Sequence, residues 1–302
     1  MTIALFPGQG VQAAGMDGGL AAAASDVFDV ASDVLGVDVA ELCREGRSGS
    51  ADLQSTRWAQ PAVLACSVAA FGVLEGADDA VTAVAGHSIG EYPALVASGV
   101  LDLADALRLV ALRAAATDDA AQQTPGGMAA VMRAERSVIE DICGRTGAAL
   151  AADNSAGQLV ISGATEQLEE AKRLASAAGA VVRSLDVAGA FHSPVMAPAA
   201  GPLAAALEDV SFSPPVLELW SSTSAGPVAE ASAIKQALID QLVSPVLFRE
   251  TVSGLAERHG STLIDVGPGK IVGALARRIV PNADVRFVAD LLPAGRSAGG
   301  AA

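Results

Sequence analysis

The sequence has little positive charge and few cysteines. Its 302 residues carry 34 acidic and 19 basic side chains, which gives a net charge of −15 at pH 7. This excess of negative charge repels nucleic acid at long range, so a nucleic-acid partner is disfavoured. The three cysteines, Cys43, Cys66 and Cys143, are widely spaced and form no CxxC pair. We therefore expect buried free thiols, with neither a disulfide framework nor a metal site.

Long apolar runs are also missing. Apolar residues make up 51% of the chain, but charged residues and glycine interrupt them before the roughly 18 residues that span a membrane. Residues 1–10 lack the basic segment and the long apolar segment of a secretory signal. These features predict a cytoplasmic protein with no membrane partner.

Short apolar strands alternate with helical segments in the first and last parts of the chain. This alternation predicts an α/β domain with a mostly parallel sheet. A helix is expected to begin at Gln60-Pro61. The predicted strands cover residues 2–6, 81–85, 262–266 and 285–289, and the principal helices cover 62–74, 103–116 and 270–279.

The pattern changes between residues 122 and 127. From there to residue 187 the order is strand, helix, strand, strand, helix, strand, which is typical of a ferredoxin-like βαββαβ unit. We predict a large domain of residues 1–123 and 189–292, an inserted small domain of residues 124–188, and a disordered tail of residues 293–302.

The clearest chemical motif is Gly-His-Ser-Ile-Gly at residues 86–90, between a predicted strand and a predicted helix. This context fits the G-x-S-x-G elbow, in which glycines allow a sharp turn that exposes a nucleophilic serine. Ser88 is the predicted nucleophile, and the main-chain N–H of Ile89 can donate to an oxyanion. The alternative is that Ser88 only caps the helix.

A serine nucleophile needs a base at neutral pH, and the sequence has three histidines. His87 adjoins Ser88, but adjacent side chains on a tight turn diverge. His259 lies at a polar helix end, where we expect it to be solvated. His192 is the remaining candidate, although a buried structural histidine would also fit its position. No acidic third member is evident, so we favour a Ser–His pair oriented by a main-chain carbonyl.

Arg113 lies on the helix predicted over residues 103–116. The helical period places it at the margin of the apolar stripe. It can serve as a guanidinium fork for a substrate carboxylate, or it can extend over small residues towards solvent.

Motifs along nearly the whole chain, residues 2–290, resemble those of malonyl-CoA:acyl carrier protein transacylases and the related acyltransferase domains of polyketide synthases. The matching stretches, in family order, are residues 6–12, 59–62, 86–91, 102–113, 154, 158–163, 191–193, 241–242, 245–246 and 266–270. The resemblance implies a hydrolase-like α/β domain with an inserted ferredoxin-like domain. It implies transfer of a malonyl group from malonyl-CoA, through a malonyl-serine, to the phosphopantetheine thiol of an acyl carrier protein. No cofactor is implied, since coenzyme A enters as part of the substrate.

The same resemblance implies roles for individual residues. Ser88 becomes acylated, His192 is its base, and Arg113 binds the malonyl carboxylate. The main-chain N–H groups of Gln9 and Ile89 form the oxyanion hole. Further implied residues are Gln241, whose main-chain carbonyl orients the histidine, Gln60 and Asn154, which line the cleft, and Phe191, whose ring disfavours an α-methyl group.

Two residues depart from the family pattern. Ser222 stands where an asparagine is usual, and Pro93 stands where a small residue is usual. The alternatives to malonyl transfer are a polyketide-pathway acyltransferase with another acyl unit, a serine hydrolase, and a non-catalytic module that binds a carrier protein. The basic residues expected to bind an acidic carrier protein are Lys270, Arg277, Arg278 and Arg286.

Overall fold

The computed structural model describes residues 1–75 and 80–290, so the predicted tail, 293–302, lies outside the described residues. The strands, in chain order, are β1 (Thr2–Phe6), β2 (Arg47–Ser48), β3 (Ala51–Asp52), β4 (Val81–Gly86), β5 (Gly126–Met132), β6 (Ala149–Ser155), β7 (Gln158–Ala164), β8 (Val181–Ser184), β9 (Glu218–Ser221), β10 (Gly226–Pro227), β11 (Thr262–Asp265) and β12 (Asp284–Phe287).

The helices enclose these strands, with short 3₁₀ segments at Ser88–Gly90, Pro194–Ala199 and Val288–Asp290. The α-helices, in chain order, are α1 (Leu20–Ala23), α2 (Ser25–Leu35), α3 (Val39–Glu45), α4 (Thr56–Glu75), α5 (Glu91–Ala97), α6 (Leu103–Gln123), α7 (Arg136–Thr146), α8 (Thr165–Ala177), α9 (Ala200–Glu208), α10 (Ala231–Asp240), α11 (Phe248–His259) and α12 (Ile271–Ile279).

A six-stranded sheet forms the centre of the larger unit. Its order is β10-β9-β4-β1-β11-β12, and every neighbouring pair is parallel except β10 with β9. All five residues of β1 are buried, as expected for a strand covered on both faces of a parallel sheet. Phe6 of β1 pairs with Gly86 of β4, so the loop after β1 and the turn after β4 begin side by side. The predicted α/β class is confirmed.

A separate antiparallel sheet has the order β6-β7-β5-β8. Side chains on one of its faces, including Val131 and Ile161, pack against Ile139 of α7 and Leu168 of α8. This is the predicted βαββαβ unit. Because successive side chains of a strand alternate between faces, residues at the intervening positions, such as Ala130, face the larger unit.

Strand β6 joins the two units. The main-chain N–H of Asp153 donates to the Val246 carbonyl at 2.9 Å, and the Val246 N–H donates to Ala151 at 2.9 Å. The fully buried Asp153 carboxylate accepts from Arg249 of α11 at 2.7 Å and lies 3.4 Å from Arg136 of α7. These contacts hold the next residue, Asn154, at the junction of the two units.

Two helix boundaries differ from the prediction by four or more residues. Helix α4 begins at Thr56, four residues before Gln60, and it contains Pro61. A proline usually marks the first turn of a helix, but here only one main-chain hydrogen bond is lost from a 20-residue helix that is packed in the core. Helix α6 continues to Gln123 and not to residue 116. Its extra turns are supported by ion pairs from Arg57 to Asp118 and Asp119.

Helix α4 tests the prediction that no apolar run is long enough to span a membrane. Within the described residues, Thr56–Leu74 is the segment long and apolar enough to cross a membrane, with a mean hydropathy of 1.3. Of that window, 72% is buried inside the protein, so α4 is a core helix.

The three cysteines are buried and free, as predicted. The sulfur atoms of Cys43 and Cys66 lie 3.7 Å apart between α3 and α4. Within residues 1–75 and 80–290, no group of three or more His, Cys, Asp or Glu side chains is arranged to hold a metal ion.

Candidate active site

The turn between β4 and α5 has the geometry of a nucleophile elbow. Ser88 has a φ of 54°, a left-handed conformation that is uncommon for a residue with a side chain. A Cβ on Gly86 would lie 1.9 Å from the carbonyl carbon of Gly90, and a Cβ on Gly90 would lie 2.3 Å from the Phe6 oxygen. Both glycines are therefore required where the turn passes the end of β1, and the turn projects Ser88 into the cleft.

His192 forms a hydrogen-bonded pair with Ser88. Its Nε2 lies 2.8 Å from the Ser88 Oγ, and its Nδ1 lies 2.8 Å from the main-chain oxygen of Gln241. A carbonyl oxygen only accepts, so Nδ1 carries the proton and Nε2 is left to accept from the serine. Burial, followed by the nearby charge of Arg113, lowers the pKa of His192 to about 3. The imidazole is therefore neutral at pH 7.

Arg113 reaches this pair from α6. Arg113 is only 4% exposed, so the alternative prediction, that its side chain extends towards solvent, is wrong. Nη1 donates to the Gln60 side chain at 2.7 Å and Nη2 donates to the Gln241 side chain at 3.0 Å, while Nη2 lies 3.5 Å from the Ser88 Oγ. Burial lowers the pKa of Arg113. A fixed guanidinium thus adjoins the nucleophile, and no carboxylate of residues 1–75 or 80–290 bonds to it directly.

Gln9 and Ile89 lie on the two loops that meet beside Ser88. Ile89 follows Ser88 in the elbow, and Gln9 follows β1. The Gln9 side chain donates to the Thr56 hydroxyl at 3.3 Å and accepts from Gln60 at 3.3 Å. These bonds tie the loop after β1 to α4, and the hydrogen bond that Arg113 donates to Gln60 connects α4 in turn to α6.

His87 points away from Ser88, as predicted for neighbours on a tight turn. Its Nε2 lies 2.7 Å from the Asn154 side-chain oxygen, and its ring packs against Phe248 at 5.2 Å between centroids. Burial lowers the pKa of His87. Asn154 thus bridges from β6 to the elbow across the junction of the two units.

A cavity of about 420 Å³ opens between the two units around these groups. Eight of the nine predicted site residues line this cavity. The ninth, Gln241, forms hydrogen bonds with His192 and Arg113. The eight are Gln9, Gln60, Ser88, Ile89, Arg113, Asn154, Phe191 and His192. The apolar part of the wall includes Met128, Ala130, Ala152, Val160 and Val187.

Glu91 is a buried acid at this site that the sequence analysis did not single out. Its Oε1 accepts from the Ser222 main chain at 2.6 Å, the Ser222 hydroxyl at 2.7 Å and the Ser221 hydroxyl at 3.3 Å. An acid in the first turn of a helix usually indicates a solvated charge at the helix dipole, so no local signal marked it. Ser222 is fully buried against Glu91 and does not line the cavity, and Pro93 is buried in the first turn of α5.

Two other predictions need correction. His259 is not solvated, because its side chain is only 11% exposed and lies 3.4 Å from Glu218. The predicted basic surface is partly neutralised, since Lys270 pairs with Asp290 at 2.6 Å. In the same surface Arg286 pairs with Asp284, Arg277 packs on the ring of Phe287, and Arg278 donates to Gln158.

The sequence matches the family described as "Acyl transferase domain" over residues 4–294. Its relatives include the malonyl CoA-acyl carrier protein transacylases of Haemophilus influenzae, 37% identical with 95% of each chain covered, and of Escherichia coli, 36% identical with 91% of this chain and 92% of the relative covered.

Solved structures agree with these sequence matches. The acyl carrier protein S-malonyltransferase of Vibrio cholerae has a TM-score of 0.90 and 35% identity, with 95% of this chain and 96% of that chain covered. A malonyl-transacylase in complex with its type II polyketide acyl-carrier protein has a TM-score of 0.89 and 35% identity, with 95% and 94% covered. With sequence and structure matched over almost its full length, the chain belongs to the acyl transferase domain family.

Proposed function

We propose that this protein transfers a malonyl group from malonyl-CoA to the phosphopantetheine thiol of an acyl carrier protein. The observation that carries the proposal is the buried guanidinium of Arg113, 3.5 Å from the hydroxyl of a serine that is paired with a neutral histidine. The names of the relatives, which are malonyl transacylases, support the same acyl group and the same acceptor.

In the first half-reaction, the Ser88 Oγ attacks the thioester carbonyl carbon while its proton moves to Nε2 of His192. The main-chain N–H groups of Gln9 and Ile89 donate to the oxyanion. The carbon–sulfur bond then breaks, and the proton on His192 passes to the departing coenzyme A sulfur. In the second half-reaction the carrier thiol gives its proton to His192 while its sulfur attacks the carbonyl carbon of the malonyl ester. The carbon–oxygen bond to Ser88 then breaks, and His192 returns the proton to the Ser88 Oγ.

Two side chains select the acyl unit in this proposal. Arg113 offers two N–H groups in one plane to the malonyl carboxylate, which desolvation would otherwise leave unpaired. The Phe191 ring disfavours an α-methyl group, and this is a preference only, because a difference of one methyl is worth about 1–3 kcal/mol in a pocket. Gln60 and Asn154 line the cleft, and the Gln241 carbonyl keeps His192 in the reactive tautomer.

The division of the chain follows the same proposal. Residues 1–123 with 189–292 form the catalytic domain and residues 124–188 form the small domain, which has a hydrophobic cluster of its own. The reaction written above needs no metal or organic cofactor. We place the protein in the cytoplasm, where its coenzyme A thioester would be supplied.

Mass spectrometry of the intact protein tests the assignment. The wild type incubated with malonyl-CoA should gain one malonyl group, and holo carrier protein should remove it. Ser88→Ala should stay unmodified, whereas the exposed Ser176→Ala on α8 should be modified as the wild type is. Rapid loss of the adduct to water without a carrier would favour a serine hydrolase, and a wild type that never forms the adduct would reject catalysis by this site.

A further inference from the structure

The loop after β1 lies directly against the side chain of His87. A Cβ added to Gly8 would lie 2.7 Å from the main-chain oxygen of His87 and 3.1 Å from Nδ1 of its ring. Since glycine carries no Cβ, the main chain of Gly8 packs on the imidazole with no side chain between them. The next residue of the loop is Gln9, whose main-chain N–H is one of the two oxyanion donors in the proposed function. The His87 ring therefore limits where this N–H can lie.

Asn154 holds the His87 ring from the other unit. Nε2 of His87 lies 2.7 Å from Oδ1 of Asn154, and an amide oxygen only accepts, so Nε2 donates the proton. Asn154 follows Asp153 on β6, and the Asp153 carboxylate accepts from Arg249 at 2.7 Å. The His87 ring also packs on Phe248 of α11, with 5.2 Å between centroids. A hydrogen bond from the small domain and an aromatic contact from α11 thus fix the imidazole.

The main chain of His87 is fixed independently of its ring. Its N–H donates to the Phe6 carbonyl at 2.9 Å, and its carbonyl accepts from the Gly90 N–H at 3.0 Å. The loop after β1 is held at its far side by hydrogen bonds between the Gln9 side chain and α4. A change confined to the His87 ring would therefore act on the loop at Gly8 and would leave the path of the elbow in place.

Building on the proposed malonyl transfer, we infer that Asn154 and His87 are positioning residues of the oxyanion hole. Through their hydrogen bond, the small domain sets the place of the main-chain N–H of Gln9. Neither side chain needs to touch the acyl group for this role. Both also line the cleft, so direct contact with the substrate is the alternative to be separated by experiment.

This role has a kinetic signature of its own. The oxyanion forms in the transition state and not in the bound thioester, so a displaced donor slows acylation without weakening substrate binding. The reacting carbonyl oxygen is common to malonyl and acetyl groups, so both acylations should slow by the same factor. A side chain that binds the malonyl unit directly would instead change the substrate concentration needed for half the maximal rate, or would affect malonyl alone.

Single-turnover acylation of Asn154→Leu tests the inference. Leucine is close to asparagine in size but accepts no hydrogen bond, so the His87 N–H loses its partner. The acylation rate constant at saturating malonyl-CoA, measured by mass spectrometry of quenched samples, should fall by about 10- to 100-fold. The concentration for half the maximal rate should stay near the wild-type value, and acetyl-CoA should show the same fall in rate constant. The matched control is Asn282→Leu in the exposed turn before β12, which should be acylated as the wild type is.

Two substitutions of His87 test the coupling from the other side of the hydrogen bond. His87→Gln places an amide N–H close to the position of Nε2, so it keeps the donor to Asn154 and should retain most of the rate. His87→Leu removes the donor and should slow acylation about as much as Asn154→Leu does. Because the two residues act through one contact, the double variant should be no slower than the slower single variant. Thermal denaturation checks that each variant is folded.

A raised half-saturating concentration with an unchanged rate constant in Asn154→Leu would overturn the inference and would make Asn154 a substrate contact. An unchanged acylation rate, a loss confined to malonyl-CoA, or losses that multiply in the double variant would overturn it as well. If Asn154→Leu does not fold, the comparison of His87→Gln with His87→Leu still decides. Failure of the proposed function looks different, since the wild type would then form no malonyl adduct at Ser88.

Discussion

At the scale of single residues, the proposed function makes Arg113 the side chain that selects the acyl group. Its guanidinium is held by Gln60 and Gln241 before any substrate arrives. The side chain therefore loses little further freedom when it binds a carboxylate. In the proposed function, this preorganisation would also fix the distance between a bound carboxylate and the Ser88 hydroxyl, as an acyl group with one carbon between its two carbonyl centres requires.

Replacing this arginine should separate malonyl from acetyl transfer. Removing one partner of a buried charge pair costs about 2–5 kcal/mol, so Arg113→Ala should lower kcat/KM for malonyl-CoA by about 30-fold to several thousand-fold. Acetyl transfer should change little, because Ser88 and His192 are untouched. Steady-state kinetics with both thioesters measures the difference.

The matched control for this experiment is Arg108→Ala on the same helix. Arg108 is exposed and pairs with Asp105 at 2.8 Å, so its loss should leave both substrates unaffected. Equal losses of malonyl and acetyl transfer in Arg113→Ala would make Arg113 a structural residue and would remove the main physical support for malonyl as the acyl group.

At the scale of elements, the elbow between β4 and α5 depends on its glycines. Gly86→Ala would place a methyl group 1.9 Å from main-chain atoms of Gly90, which no side-chain movement can relieve. We expect this variant to lose malonyl-enzyme formation and to melt at a lower temperature. Mass spectrometry and thermal denaturation provide the two measurements.

Gly72→Ala is the control variant for Gly86→Ala. Gly72 lies inside α4, and an added Cβ there would meet nothing within 4 Å. Gly72→Ala should keep full activity and raise stability by roughly 0.5–1 kcal/mol, since glycine weakens a helix interior by about that amount relative to alanine. Normal acylation by Gly86→Ala would contradict the elbow geometry.

The same elements show how far the sequence determines the fold and the site. The elbow was predictable because strand, glycines, serine and helix are consecutive. The pairing of His192 with Ser88 was predicted by elimination among the three histidines. The main-chain carbonyl of Gln241 that orients His192 was predicted only from the family resemblance, because a residue of any type can supply a main-chain carbonyl. Glu91 was missed since its partners lie 130 and 131 residues away. The start of α4 was misplaced because tertiary packing overrides the usual position of proline.

At the scale of the whole molecule, a net charge of −15 opposes the approach of an acidic carrier protein. We therefore expect docking to depend on a local basic surface beside the cleft. Of the four basic residues predicted for it, Lys270 and Arg286 each pair with an aspartate. Arg278 is exposed and donates to Gln158, a neutral residue that lines the cleft. Arg278 is therefore the residue best placed to meet the carrier beside the entrance.

Reversing this charge should weaken carrier use selectively. Arg278→Glu should raise KM for an acidic holo carrier protein several-fold at low salt, because a rim charge acts mainly on encounter, and the effect should shrink as salt screens it. The KM for malonyl-CoA should change much less. Arg145→Glu on α7, where Arg145 pairs with Asp141, changes the net charge by the same amount. This variant therefore controls for the effect of net charge on the encounter with the carrier protein. If the two variants raise the carrier KM equally, net charge alone governs encounter and Arg278 is no docking residue. If only Arg278→Glu does so, the carrier reaches the cleft over the surface formed by Arg278 and Gln158.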